Sequence, residues 1–308
     1  MEQIFSALFK KRPIVFPIVS PKGGEGKSTK AANLSGFLAD AGLRTLLFDG
    51  DYSQPTSSSI FKLKYEAPAG LYELLMQTVD LNQPDQFISR SAINNLDIIV
   101  SNDPDELLPT AMLHAPDGRL RLRNILQHPL FQQYDAIIID SKGATGVMTE
   151  LVVLAATHHV LGVIKPILPD VREFLRGTLR MLTRLQSFEN YGIQLPLIQI
   201  LVNGIEGTNL DRDTLNELTD IIEQQRYDTS ALGGRKVYQL LNTRIDLLDI
   251  YKLGHVRAQP VHRLEYKTTR KSPAAAQTMY SLACELFPEW KSKFETVLIE
   301  QPDGIGDE

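Results

Sequence analysis

IVFPIVSPKGGEGKSTK, residues 14–30, decides how the rest of the chain is read. The apolar run from Ile14 to Val19 stops at Ser20-Pro21. A glycine-rich turn follows, and then TKAANLSGFLADAG carries a helical periodicity. Strand, glycine turn and helix in that order make a phosphate-binding loop. Gly23, Gly24 and Gly26 let the backbone curl so that successive N–H groups face anionic oxygens. The helix start at Lys27-Ser28-Thr29 adds partial positive charge and unpaired N–H donors. Lys27 is placed to reach between β- and γ-phosphates, and Ser28 to give its hydroxyl to Mg2+. A second lysine, Lys22, stands at the opening of the loop. Glu25 lies among the glycines, where a carboxylate weakens phosphate binding unless it points away or pairs with a base. The expected nucleotide cradle is therefore Gly23, Gly24, Glu25, Gly26, Lys27, Ser28 and Thr29.

Outward from this stretch, the pattern predicts a helix over 28–41 and a second apolar strand over 43–48 that delivers Asp49, Gly50 and Asp51. Further helices are expected over 68–78, 119–127, 147–157, 170–190, 211–226 and 274–287. Strands are expected over 96–101, 135–140, 158–166 and 195–204, with 79–95 polar and mixed. The run ending in Asp140 is the strongest strand, and a carboxylate at its carboxyl end can bind Mg2+ directly or through water. Alternating strands and helices predict an α/β fold: a mostly parallel central sheet with helices on both faces. His158 and His159 are adjacent in an expected strand, where neighbours point to opposite faces, so they are read as edge or turn residues.

The 308 residues carry a net charge of −5, which gives no overall nucleic-acid signature. The single cysteine, Cys284, fits a buried small hydrophobe in a reducing compartment. It excludes a disulfide framework or a cysteine-rich metal site. No apolar run approaches the length of a spanning helix. Ile4, Phe5, Leu8 and Phe9 suggest a small packing helix near the amino terminus. Between 244 and 272 seven basic residues (Arg244, Lys252, Arg257, Arg263, Lys267, Arg270 and Lys271) face only Asp246, Asp249 and Glu265. That segment is either a solvated charged face or a basic surface for phosphate backbones. One domain over 13–290 is expected, with an extension over 1–12 and a polar tail over 291–308.

Taken together, Lys22-Gly23-Gly24-Glu25-Gly26-Lys27-Ser28, Asp49-Gly50-Asp51 and the strand from Tyr134-Asp135 to Asp140 resemble the ParA/MinD family of P-loop NTPases with a deviant Walker A motif. The likeness is closest to the ParA/Soj partition ATPases and covers roughly 13–287. It implies ATP and Mg2+ as cofactors, and a homodimer that closes on ATP. In that dimer Lys22 would reach the neighbour's triphosphate and Asp51 would polarise the attacking water. Asp49 would support the metal shell with Ser28 and Asp140, and Asn203 would contact adenine. The implied function is DNA partition on a non-specific DNA surface, with a DNA-bound ParB-like adaptor that stimulates hydrolysis. The implied place is the cytoplasm, on the nucleoid, without stable membrane association. A MinD-like positioning ATPase and an ATP-gated scaffold with little turnover are the alternatives. The family's proline pair after the Walker-B aspartate is replaced here by Ser141-Lys142-Gly143-Ala144, which predicts a looser loop.

Overall fold

The computed structural model describes residues 12–51, 57–142 and 146–299. The expected amino-terminal packing helix lies outside the described residues. In chain order the elements are β1 Ile14–Val19, α1 Lys27–Asp40, β2 Thr45–Gly50, β3 Leu63–Tyr65, α2 Leu71–Met76, β4 Ser89–Ser91 and β5 Leu96–Ile99. Then come α3 Leu107–His114, α4 Arg121–Ile125, β6 Ala136–Ser141, α5 Val147–Ala155, β7 Val160–Ile164, α6 Leu168–Leu185, β8 Ile198–Ile205 and α7 Asn209–Glu223. The chain continues with β9 Tyr238–Asp246, α8 Ile250–Arg257, α9 Val261–Leu264, α10 Ala275–Leu286 and α11 Lys291–Ile299.

The strands form one sheet in the order β3-β4-β5-β2-β6-β1-β7-β8-β9. All neighbours are parallel except β3–β4 and β4–β5, which are antiparallel. The period of two along each strand sorts side chains onto two faces. Phe16 and Ile18 of β1, with Ala136 and Ile138 of β6, pack under α1, α10 and α11. Val15 of β1, with Ile137 and Ile139 of β6, turns to the other face, under α2 to α5. Val19 of β1 also turns that way, into the cluster beneath α6 and α7. Burial on both faces explains why these strands read as continuous apolar runs rather than alternating ones.

From β1 the chain crosses to β2 on one side of the sheet, returns through β6, and continues to β7 on the other side. The turn after β1 thus stands where the strand order reverses, the crevice in which open α/β sheets bind ligands. The second strand extends to Gly50, beyond its expected end at 48, because pairing with β6 continues through Asp49↔Asp140 and Gly50↔Ser141. A Cβ on Gly50 would stand 2.4 Å from the Asp140 carbonyl oxygen, so only glycine lets the two strands close here.

Residues 291–299, expected as tail, are instead α11. Trp290 and the inward residues Phe294 and Val297 are buried in the main core against α1 and α10. The residues left outside the described range at this end begin at 300.

Candidate functional site

The turn from Ser20 to Gly26 is held at several points. Ser20 Oγ donates to the Lys22 carbonyl at 2.6 Å. Gly26 lies at φ 88°, and a Cβ there would meet Asn203 Nδ2 at 2.6 Å. No side chain among the described residues caps the start of α1. Its first N–H groups therefore face the crevice as anion donors.

Glu25 points away from that cradle. Its side chain is buried, and Oε2 accepts the backbone N–H of Lys165, at the end of β7, at 2.8 Å. Burial pushes the Glu25 carboxyl above its usual range, and the Lys165 N–H and the charges of Lys165 and Lys22 oppose that rise. The geometry removes the conflict expected from the sequence, since this carboxylate ties loop to sheet. Lys22 also points out of its own loop. Its Nζ lies 2.6 Å from Asp170 Oδ2 on α6 and 4.0 Å from Glu25 Oε1, with the side chain 51% exposed.

Asp140 and Asp49 sit side by side at the carboxyl ends of β6 and β2, both fully buried. They differ in their partners. Asp49 Oδ2 accepts from Ser58 N at 2.9 Å and Ser58 Oγ at 2.6 Å, and Oδ1 accepts from Asp51 N at 3.3 Å. Neither Asp140 oxygen has a hydrogen-bond partner among the described residues. Burial pushes the Asp140 carboxyl up to about 7 and the Asp49 charge adds to this, while Lys27, Ser28 and Ser57 pull it down. A buried carboxylate with neither oxygen satisfied, beside a serine hydroxyl and a lysine, is a donor set that fits Mg2+. Ser28 and Asp140 are the residues that would hold it.

Three expected site residues also make contacts within the fold. Asp49, expected in the metal shell, accepts from the backbone N–H and the hydroxyl of Ser58. Thr29, expected in the cradle, has its hydroxyl 3.0 Å from His255 Nε2 on α8. Asn203, expected at the adenine, donates its amide to the Glu25 carbonyl at 2.7 Å and so braces the loop. Asp51 lies just beyond β2, with its carbonyl accepting from Ser101 Oγ at 2.6 Å.

Other neighbours of the loop carry no sequence signal. Lys30, buried one turn into α1, lies 3.7 Å over the ring of Tyr251. Burial lowers its ammonium to about 7. The α8 helix, which supplies both Tyr251 and His255, therefore sits directly on the start of α1.

The basic segment does not form one free face. His262 and Arg263 both bond Asp40, at the end of α1, through His262 Nε2 at 2.7 Å and Arg263 Nε at 2.6 Å. Arg270 pairs with Glu265 at 2.7 Å and Lys252 with Asp249 at 2.9 Å. Arg244, Arg257, Lys267 and Lys271 are exposed and form no ion pair among the described residues. The two histidines stand at the entry to β7, in line with the edge or turn reading: both precede the strand, and their rings lie tilted with centroids 4.1 Å apart. No group of three or more histidine, cysteine or acidic side chains suited to a metal occurs among the described residues.

Comparison with known proteins agrees with this architecture. Residues 14–190 match the family described as an AAA domain. The sporulation initiation inhibitor protein Soj of Bacillus subtilis is 26% identical over 224 residues, covering 70% of this chain and 82% of Soj. The chromosome partitioning protein ParA of Myxococcus xanthus is 32% identical over 145 residues, covering 47% of this chain and 49% of that protein. Among solved structures, an ATP complex of a McdA variant from Cyanothece superposes with a TM-score of 0.65 at 19% identity, covering 93% of this chain and 95% of McdA. MinD of Pyrococcus horikoshii with Mg-ADP superposes at 0.62 and 20% identity, covering 91% and 98%. The glycine turn at the strand-order reversal, the unsatisfied Asp140 beside Ser28 and these matches have one common reading: the chain belongs to the ParA/MinD family of P-loop ATPases.

Proposed function

We propose that this chain is a ParA-type ATPase that closes into a homodimer on ATP, binds duplex DNA without reading its sequence, and hydrolyses ATP under the control of a DNA-bound ParB-like adaptor. The observation that carries the reading is the position of Lys22. Its ammonium stands outside its own phosphate cradle, half-exposed, on a carboxylate of α6. A cation held there is turned away from its own phosphate site, and it can reach phosphates presented by a second copy. Charge developing on a transferring phosphoryl group is then stabilised only in the dimer.

The surface around the loop supports a second copy as the occupant. Ile167, Leu210, Leu247 and Val256 are all exposed, and the first three follow the carboxyl ends of β7, β8 and β9. Exposed apolar side chains gathered on one rim mark an association surface. Within each copy, the free N–H groups at the start of α1 and Lys27 would bind the phosphates, and Asp51 would orient the attacking water. Mg2+, held by Ser28 and Asp140, supplies positive charge to the phosphate oxygens when bound.

DNA binding rests on the four exposed basic residues Arg244, Arg257, Lys267 and Lys271, a set that dimerisation would double. Such contacts would place the protein on the nucleoid. The partition role comes to this chain from Soj and ParA, whose names describe sporulation control and chromosome partitioning.

Sedimentation with ATP, with ADP and without nucleotide tests the reading, with turnover measured with and without a non-specific duplex. The expected result is a dimer with ATP alone and DNA-dependent turnover. A monomer at saturating ATP and Mg2+ would remove the proposed switch.

A further inference from the structure

A second concentration of unpaired positive charge lies at the opposite end of the sheet from the phosphate loop. An open cavity of about 600 Å3 is framed by the residues that lead into β1, β7 and β8. Arg12, Arg123, His158, His159 and Gln194 line it. A smaller cavity of about 160 Å3 adjoins through Arg12 and Arg123 and adds Gln127 and Gln132. Neither cavity has an aspartate or glutamate among its described lining residues. That is unusual in a chain whose net charge is −5.

The basic groups there lack counterions among the described residues. Neither Arg12 nor Arg123 makes an ion pair with any of them, although ion pairs hold Arg119, Arg121 and Arg184 elsewhere in the fold. Arg123 Nη1 donates to the Leu154 carbonyl at 3.1 Å, which orients the guanidinium without neutralising it. Burial lowers the Arg123 guanidinium below its usual range, and the nearby charge of Arg12 lowers it further. The rings of His158 and His159 meet at a tilt with centroids 4.1 Å apart, and His159 Nδ1 is buried with no partner among the described residues. Two guanidiniums that converge without an acid repel one another, and the fold gains by admitting an anion between them. Burial holds the His159 imidazole below its usual range, so it adds a hydrogen-bonding group rather than a charge.

We propose that this cavity is a binding site for a small phosphate-bearing molecule, held by Arg12 and Arg123 with His158 and His159 as further donors. The occupant is small because the site is concave. Its volume suits a small ligand, whereas a duplex backbone is met by protruding cations. Phosphate fits better than a carboxylate because it carries ≈ −1.5 to −2 charge near neutral pH and three acceptor oxygens. Guanidinium forks match that geometry.

The test uses the full chain saturated with ADP and Mg2+, so that the phosphate loop is already filled. Pyrophosphate is titrated while the imidazole C2–H resonances are followed by NMR, with His158→Gln and His159→Gln assigning the two signals. The expected result is a saturable shift of those two resonances with a dissociation constant on the order of 1 mM or tighter. Arg12→Gln combined with Arg123→Gln should weaken binding about tenfold or more, and succinate should bind more weakly than pyrophosphate. Arg12→Gln alone, at the exposed rim, should weaken binding even if the double variant fails to fold. Absence of a saturable shift, or equal affinity in the Arg12→Gln protein, would overturn the site. So would a short duplex that moves the same resonances at lower concentration than pyrophosphate.

Discussion

Lys22 and Asp140 are the two residues at which the structure makes the sharpest demands. The Asp170 carboxylate raises the Lys22 ammonium above its usual range against a smaller cost of burial, with Glu25 and Glu173 adding to the pull. That arrangement turns the ammonium away from the phosphate site of its own subunit. Lys22→Ala should therefore leave ADP affinity within about twofold and lower turnover by about 10³-fold or more, the range for a cation supplied in trans. Equal turnover in the variant would remove the cross-subunit role. Asp140 is buried with both oxygens unsatisfied among the described residues. Asp140→Asn takes away a buried charge that Lys27, Ser28 and Ser57 only partly offset, so the metal-free protein should gain about 1–3 kcal/mol of stability while losing the stabilisation that Mg2+ and nucleotide give. Thermal melts with and without Mg·ADP measure both effects. The placement of Lys27, Ser28 and Asp140 was legible in the sequence because each belongs to a contiguous strand-and-turn motif. The contacts of Thr29 and Asn203 were not, because their partners, His255 and Glu25, lie 226 and 178 residues away. No spacing rule spans such distances.

At the scale of elements, α1 joins the nucleotide loop to the carboxyl-terminal layer. Its first turn touches α8 through Thr29 and Lys30, and its last turn holds α9 through Asp40. Burial alone would raise the Asp40 carboxyl, but hydrogen bonds from Arg263 and His262 more than reverse this, and it lies below its ordinary value. Burial holds the His262 imidazole below its ordinary value against the pull of Asp40. Both groups bind fewer protons folded than unfolded, so their contribution to stability rises with pH. For His262 it begins to fall as pH drops below about 6.5, and for Asp40 below about 4. Asp140, Asp49 and Glu25, whose carboxyls are raised, act in the opposite direction. The informative quantity is therefore the difference between proteins. His262→Gln should remove up to about 1.4 kcal/mol per pH unit from the slope of unfolding free energy below about pH 6.5. Urea midpoints at several pH values measure it, and an unchanged slope would assign the dependence elsewhere. The long apolar strands were legible from their composition. The short antiparallel pair LKY and SRS, at β3 and β4, was not, since three residues carry no periodicity. The α11 helix was misread as tail because only Trp290, Phe294 and Val297 mark its inward side among charged neighbours. Phe294 is fully buried, so Phe294→Ala should cost about 3–5 kcal/mol in a denaturant titration. A cost near zero would return the segment to the tail.

For the whole molecule, the structure changes which charges can meet DNA. Seven basic residues between 244 and 272 look equivalent in the sequence, because a sequence shows a charge but not its partner. In the fold, Arg263 is turned inward to Asp40, with side-chain exposures of 30% and 19%, and it fastens α9 to α1. Removing it leaves Asp40 with His262 in place of its guanidinium partner, at a cost below the roughly 3–5 kcal/mol of a fully buried pair. Arg270 and Lys252 already face carboxylates. Arg244, Arg257, Lys267 and Lys271 have no such partner among the described residues and stand exposed. Each phosphate they contact would release a counterion, so binding should weaken steeply with salt, by about 0.9 in log affinity per log salt for each contact. Arg257→Gln combined with Lys267→Gln should therefore reduce affinity for a non-specific duplex and lower that slope by about 2, while ATP-dependent dimerisation is retained. Arg263→Gln should behave in the opposite way, lowering stability while leaving the salt slope unchanged. Fluorescence anisotropy across a salt series, run beside urea melts of the same proteins, separates the two effects. A slope that stays the same in the Arg257/Lys267 double variant would take DNA off this face of the molecule.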